Sequence, residues 1–151
     1  MKAGQLFYHE ERMIDEGEPM EGLQIFIRPG SKDLTPEVLF WDLDTFHSVN
    51  AWRLIASPHS MTYFQFSSQT WIYDILLQNS SIQLPEQVSA DLTCVLYVFN
   101  GQAMVNNELL EKRESIIIRN EKVIINSPTT AEIVLFVTDE NAEIFDGGMF
   151  S

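Results

Sequence analysis

The sequence has 151 residues, of which 45% are hydrophobic, so it has the size and apolar content of one globular domain with a substantial core. Its 22 Asp and Glu residues outnumber its 9 Lys and Arg residues, and the formal charge of −13 repels the phosphates of nucleic acids and anionic lipid surfaces. No apolar run reaches the roughly 20 residues that span a bilayer, and the start lacks the pattern of a signal peptide. We therefore expect a cytoplasmic protein that binds neither nucleic acid nor membrane.

Two short strands are predicted in the first part of the chain. Residues 1–8 end in the apolar sequence QLFY, and residues 23–27 (LQIFI) alternate with a period of two before a Pro-Gly turn. Thr35 and Pro36 have the residue types of a helix cap and a first helical position, although the same stretch also fits an irregular connection in a β domain.

The middle of the chain repeats apolar strands and polar turns without a helical interruption, in the blocks AWRLIA, WIYDILL, CVLYVF, QAMV and III. Both central residues of a type I′ turn need positive φ, so Asn100 and Gly101 predict a tight hairpin, and Asn106 and Asn107 predict a second one. KVII and EIVLFVT add two strands, separated by NSPTTA. Short strands rich in Val, Ile, Tyr and Phe favour an all-β, closed or two-layered barrel.

Several blocks resemble the pirin family, whose members are bicupins built from two similar β-barrels. MKAGQLFYHEER is similar to the A-G-x-x-x-x-H-x-E segment that ends the first pirin barrel, with Ala3, Gly4, His9 and Glu11 in the matching places. GEPMEGLQIFI resembles the linking segment, and RLIA, IYD, YVFNG and FDGGM resemble the second barrel and its closing tail. The resemblance implies a cupin-type jelly roll, or double-stranded β-helix, with extra N-terminal strands. Residues 1–49 would be the remnant of the first barrel and the connecting segment, and residues 50–151 the C-terminal barrel.

The resemblance also implies an incomplete metal site. A cupin iron site needs about four protein ligands. His9 and Glu11, two apart on a strand, would face the same side and supply two of them. In pirins the other two come from a His-Pro-His element of the first barrel, and this chain begins too late to contain it.

The second barrel offers no replacement ligands, because its corresponding places fall near Val88, Ala90 and Cys94, none of which is a histidine or a carboxylate. Cys94, inside an apolar strand, is expected to be a core residue. We therefore expect no metal cofactor. The alternative is iron or another divalent transition metal held by His9 and Glu11 in a site completed across a dimer.

The other groups of polar residues in the sequence are weaker candidates for a functional site. Asp42, Asp44 and His47 lack the spacing of a calcium loop, and the sequence has neither a nucleophile elbow nor a phosphate-binding glycine loop. The apolar segment 5–27 would be covered by the missing barrel in a full pirin, so we expect a homodimer.

Two functions stay open. The first is a non-catalytic binding or regulatory module that takes a small molecule in its barrel or a protein on its surface. The second is a metal-dependent dioxygenase of the quercetin-cleaving type. The number of available ligands favours the first.

Overall fold

The computed structural model of the protein describes residues 21–59 and 62–146. In these ranges the chain forms strands and connecting segments but no helix, which confirms the all-β prediction. The described residues therefore contain no helix that could cross a membrane. The strands are β1 Arg53–Ser57, β2 Phe64–Gln65, β3 Thr70–Gln83, β4 Thr93–Val105, β5 Glu108–Glu111, β6 Ser115–Arg119 and β7 Ile124–Thr138.

The strands join one mixed sheet in the order β2-β1-β3-β7-β4-β5, with β6 also paired to β4. β1 and β2 are parallel, and the other pairs are antiparallel. The long strands β3, β7 and β4 lie side by side, and the β3–β7 and β4–β7 ladders shift register near the middle of the strands, for example between Gln78 and Ser80. Such bulges bend a strand, and here both halves of each long strand contribute side chains to one core.

The core is built from the inward side chains of β3, β4, β6 and β7 together with neighbours on the connecting segments. Burying one such Leu, Ile or Val side chain contributes roughly 1.5–3 kcal/mol. The largest side chains with less than 2% exposure are Leu77, Leu96, Ile118, Ile125, Ile133, Leu135, Val98, Val105 and Val137.

The prediction of a tight hairpin at Asn100 and Gly101 is wrong. β4 runs without interruption through both residues, and of the two only Gly101 has a positive φ, of 77°. A Cβ atom at Gly101 would lie 2.1 Å from the Thr130 carbonyl oxygen of β7. The glycine therefore serves a bulge and a close approach between strands, which require the same residue type as a turn.

The predicted turn at Asn106 and Asn107 is confirmed. Val105 of β4 pairs with Glu108 of β5, which leaves a two-residue loop in which Asn106 has a φ of 52°. The strands predicted from RLIA, WIYDILL, CVLYVF and III are also present, as β1, β3, β4 and β6.

NSPTTA was predicted to separate two strands but lies within β7. Pro128 has no N–H to donate, which argues against the interior of a central strand. In the ladder with β3, however, the paired residues of β7 are Ser127 and then Thr130, so Pro128 falls in the gap of the register shift. Its missing donor costs no ladder hydrogen bond there.

The predicted strand at residues 23–27 is also wrong, because no described residue before Arg53 belongs to a strand. Ile25 and Phe26 are 43% and 72% exposed, so the period-two pattern marks neither a buried face nor a paired edge. Thr35 begins no helix. The predicted strand in residues 1–8 lies outside the described residues, and the domain division after residue 49 stays a prediction.

Residues 21–52 are attached to the barrel at several points along their length. Glu21 forms ion pairs with Lys112 and Arg113 at the β5–β6 turn, at 2.7 and 2.8 Å. The Phe145 N–H donates to the Pro29 carbonyl oxygen at 2.9 Å. Near its end the segment pairs with β3 through the single bridge between Val49 and Leu76.

Candidate functional site

The interior of the barrel is filled by apolar side chains. Leu77 of β3, Leu96 of β4 and Leu135 of β7 are each 0% exposed and belong to one continuous cluster. Neighbouring inward positions carry Val98 and Ile133, which are equally inaccessible. No buried side-chain nitrogen or oxygen of the described residues lacks a hydrogen-bond partner. The interior is therefore a packed, apolar core.

The places in this barrel where the resemblance puts metal ligands carry no suitable donor. Val88 packs against the core from the connection between β3 and β4, and Ala90 is exposed in the same connection. Cys94 is 1% exposed in β4, and burial raises the pKa of its thiol to about 11. A thiol with this pKa stays protonated at neutral pH, whereas metals bind the thiolate.

His9 and Glu11, the two predicted ligands, lie outside the described residues. Among the residues that are described, no three His, Cys, Asp or Glu side chains come together in a way that could hold a metal ion. His47 meets the ring of Phe46 edge to face at 4.5 Å, and His59 lies 6.2 Å from the ring of Trp71. The described part of the chain does not fit a cupin metal.

An open concavity of about 480 Å³ lies outside the core, and sequence reasoning missed it. β1 supplies Arg53 and Leu54, the connection to β2 supplies Thr62 and Tyr63, and the segment before β1 supplies Trp41. The rings of Trp41 and Tyr63 meet edge to face at 5.7 Å and form one corner. Trp41 and Tyr63 are 22 positions apart in the sequence, so no local pattern signals this pair.

Arg53 is the charged group of the concavity, and its hydrogen bonds are all directed into the protein. Its Nε donates to Asp74 Oδ1 at 2.9 Å and its Nη2 to Asp74 Oδ2, and these hydrogen bonds to the Asp74 carboxylate raise the pKa of Arg53. Nη1 donates to the Thr45 carbonyl oxygen at 2.6 Å and to its hydroxyl at 3.5 Å, and Nη2 also donates to the Phe46 carbonyl oxygen at 3.2 Å. These bonds engage all five guanidinium N–H groups. Arg53 therefore holds the segment before β1 on the sheet and has no donor left for an anionic ligand.

No protein-family model matches the sequence, and no curated protein matches it. The fold is similar to solved structures of bacterial pirin YhhW from Escherichia coli at 18% identity. One structure has a TM-score of 0.59 and aligns with 73% of this chain and 46% of YhhW. A nickel(II) complex of YhhW has a TM-score of 0.53 and aligns with 61% of this chain and 41% of YhhW.

Quercetin 2,3-dioxygenase from Acinetobacter baumannii is similar at 19% identity and a TM-score of 0.53, over 66% of this chain and 36% of the dioxygenase. This chain thus spans less than half the length of these proteins. Identities this low show the fold alone. The cupin jelly-roll fold that the resemblance to pirins implied is confirmed.

Proposed function

We propose that the protein is a cupin-fold binding module that performs no catalysis of its own and acts through its surface. The observation that supports this most directly is the core of the barrel, whose buried side chains among the described residues include Leu77, Leu96 and Leu135 but no His, Asp or Glu. Surface groups remain available for binding. The largest exposed aromatic side chains lie in the segment before β1.

The competing function is that of a metal-dependent dioxygenase. Nickel is named for the E. coli pirin and quercetin dioxygenation for the A. baumannii protein, both less than 20% identical to this chain. In this chain such a site would depend on His9 and Glu11 and would need a second protomer to complete the ligand set. The acidic residues around them in sequence would oppose that pairing, because they bring like charges together.

The deciding experiment is elemental analysis of protein purified without chelator or affinity tag, together with an assay of quercetin cleavage. We expect no stoichiometric iron, nickel, copper or zinc and no cleavage. One metal per two chains that is lost in His9→Ala but kept in His47→Ala would overturn the proposal. The His47 variant is the matched control because it removes a described histidine that no metal cluster includes.

Homodimer formation and a cytoplasmic location are part of the same proposal. Leu23, Ile25 and Phe26 expose 37%, 43% and 72% of their surface, which supports association through this part of the segment. The single cysteine is reduced and buried in β4, as is usual in a reducing compartment.

A further inference from the structure

The segment before β1 exposes a run of apolar side chains that the barrel does not cover. Phe40 and Phe46 are 90% and 86% exposed, and Trp41 is 59% exposed. We call residues 38–46 the aromatic strip; its exposed apolar members are Val38, Leu39, Phe40, Trp41, Leu43 and Phe46. Contiguous exposed apolar surface of this kind marks an interaction site in a soluble domain.

The aromatic strip is held in place by the barrel. Arg53 donates to the carbonyl oxygens of Thr45 and Phe46. Directly after the strip, the Leu76 N–H donates to the Ser48 carbonyl oxygen at 2.8 Å, and the Asn50 N–H donates to the Leu76 carbonyl oxygen at 3.0 Å. A surface fixed in this way loses little conformational entropy when a partner binds.

The strip also forms one wall of the concavity between Trp41 and Tyr63. Arg53 lines the same space, but Asp74 compensates its charge and protein acceptors engage its donors. The two rings are therefore the groups available to a ligand. Aromatic faces attract Lys and Arg cations, and apolar walls accept the methylene stems of these side chains.

The charges of the strip point to the same kind of occupant. The strip contains Asp42 and Asp44 but no Lys or Arg. Neither Asp42 nor Asp44 forms an ion pair with any residue in the described ranges. A second copy that docked here through its own strip would place its Asp42 and Asp44 against these carboxylates. A basic partner would complement them.

We propose that the aromatic strip docks a Lys- or Arg-containing apolar segment of another protein, with one cationic side chain in the concavity against Trp41 and Tyr63. The proposal rests on the surface-binding function proposed above and names its partner class. It assigns the apolar contacts to Phe40 and Phe46 and the charge contacts to Asp42 and Asp44.

The test is a fluorescence-anisotropy titration of the whole protein against a short fluorescein-labelled peptide of alternating leucine and lysine. Trp41→Ala, and separately the double variant Asp42→Asn/Asp44→Asn, should each weaken binding by about tenfold. Raising the salt concentration should weaken binding to the wild type more than to the Asp double variant. Because these side chains are exposed, the thermal midpoints of the variants should match the wild type.

Two matched controls make the result specific. Glu86→Gln/Glu121→Gln removes the same charge from exposed carboxylates elsewhere, and Leu109→Ala truncates a half-exposed apolar side chain on β5. Both should leave the affinity within about twofold of the wild type.

Equal weakening by control and strip variants would overturn the proposal, as would absence of binding. Self-association in sedimentation that is lost in Phe40→Ser/Phe46→Ser would also overturn it, because a second copy would then be the occupant. Metal content is measured separately, so each proposal can fail alone.

Discussion

The barrel, residues 53–138, and the segment before it, residues 21–52, both contain stretches of large apolar side chains but bury them differently. Leu135 of β7 is 0% exposed, while Phe40 of the segment is 90% exposed. β7 is hydrogen-bonded on one side to β3 and on the other to β4. Within the described ranges, the segment is joined to the sheet by an isolated bridge at Val49.

The difference shows that apolar sequence alone does not place a side chain in a core. A strand buries its inward face only when its backbone groups find partners along a ladder, because unpaired N–H and C=O groups must stay near water. In the segment, those partners are single contacts such as Arg53 to Thr45 and Phe145 to Pro29. Its aromatic residues therefore stay exposed.

The largest difference in stability between the two regions should come from truncating one apolar side chain in each. Leu135→Ala removes a fully buried side chain from the central strand and should lower the free energy of unfolding by about 2–5 kcal/mol, since it leaves a cavity. Phe40→Ala removes a larger side chain but should change stability by no more than about 0.5 kcal/mol. Urea unfolding of the two variants measures both values. Similar losses would mean that Phe40 is buried in solution.

A second comparison uses the same glycine substitution in the two regions. Gly101→Val forces a β-branched residue to a φ of 77° and places its Cβ against the Thr130 carbonyl oxygen. Positive φ alone costs roughly 1–3 kcal/mol, and moving β7 away from β4 adds to it.

Gly22→Val is the matched control, since no described residue beyond its two chain neighbours has an atom within 4 Å of the added Cβ. It should shift stability by no more than about 0.5 kcal/mol. Thermal unfolding compares the two. An unchanged Tm for Gly101→Val would contradict the bulge as described.

Most of the barrel could be predicted because local patterns and tertiary structure agree there. Runs such as CVLYVF became strands, and Asn106 with Asn107 became a turn. The turn predicted at Asn100 and Gly101 is absent, because a glycine with positive φ serves a bulge as well as a turn. The strand predicted at residues 23–27 is absent, because a period-two pattern of apolar residues does not show that a neighbouring strand exists to pair with it.

The candidate site was predicted less well than the fold. The non-ligating character of Val88, Ala90 and Cys94 could be read from the residue types, and burial of Cys94 agrees with its expected place in the core. The concavity could not be predicted from the sequence, because it depends on the approach of Trp41 to Tyr63 across 22 positions of the chain. Nor does the sequence show that Arg53 meets Asp74, which follows from the register of β1 and β3.

The exposed apolar residues of the segment also allow a test of the proposed homodimer. Ile25→Asp should weaken the dimer by at least about tenfold, because burying a carboxylate without a partner costs more than the roughly 1–3 kcal/mol of an unpaired neutral polar group. Sedimentation velocity at micromolar concentration measures the change. Leu109→Asp, at a position on β5 that is 50% exposed against 43% for Ile25, should leave the dimer intact. A wild-type monomer would contradict the proposal, and a dimer broken only by Leu109→Asp would place the interface on the barrel.

The smallest effect concerns the ion pairs that tie the start of the segment to the barrel. Hydrogen bonds from Lys112 and Arg113 hold the pKa of Glu21 below its usual 4.5. A carboxyl whose pKa is lowered in the folded state stabilises that state above its unfolded pKa, and the contribution is lost as pH falls through the lower folded value.

NMR titration of the Glu21 carboxyl should therefore give a midpoint below 4.5 that rises in Lys112→Gln/Arg113→Gln. Glu140 follows β7, and its pKa is lowered by a hydrogen bond from Arg119 at the end of β6, so it should titrate unchanged in that variant. A Glu21 midpoint that the double variant leaves unmoved would show that the segment is not held at the β5–β6 turn. Since both partners are exposed, added salt should produce a shift in the same direction as the double variant.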